Sequence, residues 1–84
     1  MKRITPAMLD TLEPLLGELR AIAGLKEKSR GVFYRKSRAF LHFHEDPKGL
    51  FADIRDTADK DFDRIDVTEP AGRARLVELA RDRA

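Results

Sequence analysis

Apolar residues in the first quarter of the chain recur at three- and four-residue steps: Met8, Leu9, Leu12, Leu15, Leu16, Leu19 and Ile22. That spacing is a single stripe of helical period. Thr5-Pro6 ahead of it reads as an N-cap followed by proline at the first helical position, where a missing N–H costs no hydrogen bond. Pro14 falls inside the stripe, where it removes a bond to the preceding turn and crowds it, so the helix is expected to kink or split between Thr11 and Glu13. Gly24-Leu25 supplies a left-handed stop and an apolar residue to fold back on the last turn, which ends the helix at about Ala23.

From Gly31 the apolar period shortens to two, through VFYRKSRAFLHFHE, GLFADIR and FDRIDV. The pattern predicts four strands at about 32–35, 38–45, 50–55 and 62–67. Between the second and third, Asp46-Pro47-Lys48-Gly49 joins a backbone-bonding side chain, a fixed φ and a residue free to take positive φ, which is a turn. That turn sets a register with Glu45 opposite Leu50, Phe43 opposite Ala52, His42 opposite Asp53 and His44 opposite Phe51. Leu41, Phe43, Leu50, Ala52 and Ile54 then share one face, the expected core. Strict alternation adds Val32, Tyr34, Ala39, Ile65 and Val67 to it. The opposite face receives Phe33, Arg35, Phe40, His42, His44, Phe51, Asp53, Arg55, Phe62, Arg64 and Asp66.

Thr68-Glu69-Pro70 opens a last helix with a cap, an acid and an early proline. Its apolar side is Leu76, Val77, Leu79 and Ala80, while Arg73, Arg75, Arg81 and Arg83 are expected to face water. DTADKD, 56–61, reads as a hairpin loop and not as a linker, so residues 1–84 form one domain. The expected fold is therefore α+β in two layers: an N-terminal helix kinked or split at Pro14, a four-stranded antiparallel meander and a C-terminal helix, with the helices on the Leu41 face.

Composition narrows the function. Eighty-four residues bury one modest core and leave little room for an enclosed active site. The chain has no cysteine, which excludes disulfides, thiolate nucleophiles and zinc knuckles and suits a reducing cytoplasm. Asp10 and Glu13 interrupt the apolar start before it reaches leader length, and no stretch is long enough to span a membrane. The net charge of +2 hides an uneven distribution, with residues 26–44 summing to +5 and residues 45–69 to −5.

The outward sheet face has the most distinctive chemistry. Four phenylalanines among paired charges suggest a contact surface, centred on Phe33, Arg35, Phe40, His42, His44, Phe51, Asp53 and Arg55, with a homodimer or another protein as the partner. His42 and His44, at i and i+2 of one strand, point the same way, so with Asp53 opposite they form the candidate metal set. Without a third histidine, no metal or cofactor is assigned. A histidine held by a carboxylate also suits proton transfer. However, Ser29 and Ser37 lie in turns, with no nucleophile elbow and no glycine-rich phosphate loop, so a non-enzymatic role is expected. The alternative partner is nucleic acid, through Lys26, Lys28, Arg30, Arg35, Lys36 and Arg38 with Phe33 and Tyr34 interleaved; such binding would be phosphate-driven and salt-dependent.

A leucine-rich helix, a Gly-Leu-Lys-Glu-Lys exit, an antiparallel meander and a closing helix resemble, in element order, small bacterial domains of the YjbR type. The resemblance implies an α+β fold and carries over no functional residue. The preference for Arg over Lys and Asp over Glu fits a GC-rich bacterial genome.

Overall fold

In a computed structural model, which describes residues 2–84, the chain runs β1 (Lys2–Arg3), α1 (Pro6–Thr11), α2 (Glu13–Arg20), β2 (Lys26–Ser29), β3 (Val32–Arg35), β4 (Arg38–Asp46), β5 (Gly49–Arg55), β6 (Phe62–Asp66) and α3 (Pro70–Arg83). The class is α+β, with helices against one antiparallel sheet. No helix among the described residues is long and apolar enough to cross a membrane.

The first helix splits as Pro14 requires. Leu12 leaves helical geometry at φ −96°, ψ 5°, and Pro14 then sits in the first turn of α2, where no N–H is needed. The Thr5 hydroxyl accepts the Met8 N–H as the cap of α1. α2 ends at Arg20, short of the expected Ala23, and Gly24 takes φ +93° in the turn that follows.

Five strands form a meander in the order β2-β3-β4-β5-β6, and β1 adds a short sixth beside β4. This corrects the expected four. β2 reads KEKS, with no apolar alternation to betray it; charged residues of this kind suit an edge strand that must not recruit another chain. Lys36 and Ser37, at φ 51° and 70°, make the two-residue reversal between β3 and β4 with the left-handed pair that matches strand twist.

The β4–β5 register is the expected one throughout: Phe43 opposes Ala52, His42 opposes Asp53 and His44 opposes Phe51. The β3–β4 register departs from strict alternation. Phe33 pairs with Leu41, but Tyr34 pairs with Ala39, which leaves Phe40 as an extra residue on β4. One inserted residue exchanges the two faces of everything beyond it. Phe33 and Phe40 are therefore both fully buried in the core, whereas Tyr34 and Val32 are only half-buried. The placement of Phe33 and Phe40 on the outer face is corrected accordingly.

The core joins Leu9, Leu12, Leu16 and Leu19 of the first helices to Leu41, Phe43, Ala52 and Ile54 of the sheet and to Leu76, Val77 and Ala80 of α3. Thr68 does not cap α3, whose N-cap is Glu69 with no side-chain bond; its hydroxyl instead accepts the Leu50 N–H at 3.0 Å. Arg73 and Arg83 turn inward, contrary to expectation. Arg73 donates to the carbonyls of Val67 and Thr68, and Arg83 donates to the Arg55 carbonyl and pairs with Asp63.

Candidate functional site

The period of two along β4 puts His42 and His44 on the face away from the helices, and the hairpin register brings Asp53 of β5 between them. Asp53 is the one buried carboxylate among the described residues. Its Oδ2 lies 3.0 Å from His44 Nε2 and 3.5 Å from His42 Nε2. The imidazoles meet edge to face with centroids 4.8 Å apart. Arg64, opposite Asp53 on β6, holds the carboxylate as a fork, Nε to Oδ1 at 2.9 Å and Nη2 to Oδ2 at 3.1 Å.

Electrostatics act on His42 and Asp53 in opposite senses of charge, disfavouring the imidazolium and favouring the carboxylate. Burial lowers the His42 pKa, helped by His44 and Arg64 and opposed by Asp53, so the ring is neutral at neutral pH. Burial works to raise the pKa of Asp53, but the Arg64 fork and the two histidines outweigh it and hold the carboxyl ionised, below its ordinary range. The result is a neutral His42 imidazole facing one anionic oxygen.

The three candidate ligand atoms lie within 4.8 Å of one another. A tetrahedral ion with bonds of about 2.1 Å spaces its ligand atoms by roughly 3.4 Å, and the two histidine–aspartate distances fall on either side of that value. The donor set of two imidazoles and a carboxylate suits zinc or another divalent transition metal and leaves a coordination position free of protein. Asp53 can serve an ion through Oδ2 while Arg64 keeps Oδ1, the usual division between a ligand and the group that orients it.

The other residues of the proposed contact surface are dispersed. Phe51 is half-buried beside His44. Arg55 is buried, donates to the Ala39 carbonyl at 2.8 Å and lies 4.5 Å from the Phe62 ring centroid, while Phe62 also meets His42 edge to face. Arg35 donates to the Arg83 carbonyl at the end of α3 and to Asp59, away from the histidines. With Phe33 and Phe40 in the core, the outer face keeps Phe51 and Phe62 of its four expected phenylalanines, both half-buried.

The basic segment is largely satisfied from within. Arg30 pairs with Asp10 and Glu13, Arg35 and Arg38 with Asp59, and Lys28 lies over the Tyr34 ring at 5.3 Å. Lys26 and Lys36 remain exposed, both at the Arg35 end of β3, Lys26 opposite Tyr34 and Lys36 in the turn after Arg35.

One site residue escaped the sequence reading. β1 returns beside β4 and pairs Arg3 with His44, a long-range contact that two residues of strand cannot advertise. No protein-family model, curated protein or solved structure matches this chain. The YjbR-type likeness in element order therefore gains nothing from comparison, and the side-chain chemistry alone bears on function.

Proposed function

We propose that this domain is a non-catalytic binding module that takes one divalent transition-metal ion at His42, His44 and Asp53. The convergence of both histidine Nε2 atoms on a single oxygen of a buried carboxylate carries the reading. Three protein ligands leave the ion exchangeable and open to a further ligand, unlike a four-ligand structural site. Ser29 lines a groove with both histidines, but among the described residues no hydrogen bond joins its hydroxyl to either imidazole, which supports binding over turnover.

The competing account makes the same cluster a polar rivet across β4, β5 and β6, with Arg64 as its permanent cation. In its favour, no buried side-chain polar atom among the described residues lacks a partner. A metal ion still adds something this arrangement lacks. Oδ2 has two lone pairs and three nitrogens crowd it, Arg64 Nη2, His44 Nε2 and His42 Nε2; an ion would unite the imidazoles and leave the guanidinium on Oδ1.

Calorimetric titration with Zn²⁺ of tag-free protein, in parallel with His42→Ala and His44→Ala, decides between them. Metal binding predicts one ion per chain and at least about a tenfold loss of affinity in each variant, no less than outer-shell changes cause elsewhere. Equal zinc uptake by folded variants and parent would eliminate this function and leave the rivet.

A further inference from the structure

Three neighbouring strands place His42, Asp53 and Arg64 in one row across the outer face, with the aspartate in the middle. The histidines therefore reach its carboxylate from the β4 side, and the guanidinium reaches it from the β6 side. Both histidine contacts go to Oδ2. Arg64 instead touches both oxygens, Nε on Oδ1 at 2.9 Å and Nη2 on Oδ2 at 3.1 Å.

An ionised carboxylate accepts through two oxygens, each with more than one lone pair. A forked guanidinium takes one lone pair from each, at the end of the group that points away from its stem. An ion chelated by both oxygens needs that same end. With Arg64 in place, an ion on the β4 side meets Oδ2 alone, so Asp53 counts as a single ligand. The protein then supplies two nitrogens and one oxygen. That set suits four-coordinate zinc with one exchangeable ligand, whereas Mn²⁺ favours six ligands, mostly oxygen.

Resting on the metal reading, we infer that Arg64 sets the choice of ion: its fork confines Asp53 to one oxygen and so selects zinc-like ions against oxygen-seeking ones such as Mn²⁺. Arg64 touches no ion itself and is a positioning residue that acts through Asp53. Its charge alone does not select, because it acts alike on every divalent ion. The ratio of two divalent affinities therefore isolates the fork.

The test compares the tag-free parent with Arg64→Met and Arg64→Lys, reading Zn²⁺ binding by calorimetry and Mn²⁺ binding by the electron paramagnetic resonance signal of the free ion. Methionine leaves both carboxylate oxygens uncovered. Lysine keeps a cation beside buried Asp53, which protects the fold, but as a point charge it cannot reproduce the fork. In both variants the preference for Zn²⁺ over Mn²⁺ should fall by at least about tenfold, the lower end of what the partners of metal ligands contribute elsewhere. An unchanged preference in Arg64→Lys overturns the role of the fork and leaves the metal site standing. If the parent takes up no Zn²⁺, the metal reading fails and this inference with it.

Discussion

Replacing Phe40 by leucine separates the bulged β4 from the strictly alternating strand that the pattern suggests. Phe40 has no exposed surface, and its ring centroid lies 4.9 Å from the Arg35 guanidinium. Complete truncation to alanine at such a position costs about 3–5 kcal/mol, a large share of the roughly 4–13 kcal/mol expected for a domain of 84 residues. Leucine keeps most of the apolar volume and the fold. Its cost is about 1–1.5 kcal/mol for imperfect filling plus about 0.5–1 kcal/mol for the lost cation–aromatic contact. A total near 2 kcal/mol lowers Tm by roughly 8–16 °C in a chain of this size. The same change at half-buried Phe51 should cost under about 1 kcal/mol. Urea unfolding followed by far-UV circular dichroism suits a chain without tryptophan. If Phe40→Leu and Phe51→Leu shift the midpoint equally, Phe40 lies on the outer face and the bulge is wrong.

Two further outcomes follow from named contacts. A Cβ on Gly49 would lie 2.2 Å from Thr68 Oγ1 at φ +147°, so Gly49→Ala should cost at least about 2 kcal/mol from strain alone; an unchanged urea midpoint would show that Thr68 does not clamp β5. Burial works to raise the pKa of Glu27, but the Arg20 guanidinium and the Gly31 N–H prevail and hold it below 4.5. A depressed folded pKa stabilises above the unfolded value and is lost as pH falls through the folded one, so parent and Glu27→Gln should differ in Tm at neutral pH and converge in acid. Parallel Tm curves down to the acid limit would exclude that role.

What the sequence disclosed depended on how local each signal is. The β4–β5 hairpin was legible because one turn, Asp46 to Gly49, fixes its register, and that register alone places His42, His44 and Asp53 together. The faces of β3 were not legible, since counting alternate residues cannot see the one extra residue at Phe40. β2 was hidden because Lys26, Glu27 and Lys28 gain their strand geometry from pairing with β3 and not from burial. The inward turn of Arg73 and Arg83 reflects carbonyls left open where α3 meets the sheet, which helical periodicity does not encode. Of the basic run, Arg35 and Arg38 find Asp59 in the acidic segment, whereas Arg30 pairs with Asp10 and Glu13 near the N-terminus, a match that the charge sums of the middle segments do not encode.

The most direct test of metal binding reads the imidazole nitrogens themselves. The chain has two histidines, so a long-range proton–nitrogen correlation spectrum of labelled, tag-free protein shows two rings without ambiguity. On titration with Zn²⁺, Nε2 of both His42 and His44 should move together to the range of metal-bound nitrogen and saturate at one ion per chain, while each Nδ1 moves much less. Spectra that stay unchanged, or a shift of only one ring, would contradict a shared ion at His42, His44 and Asp53.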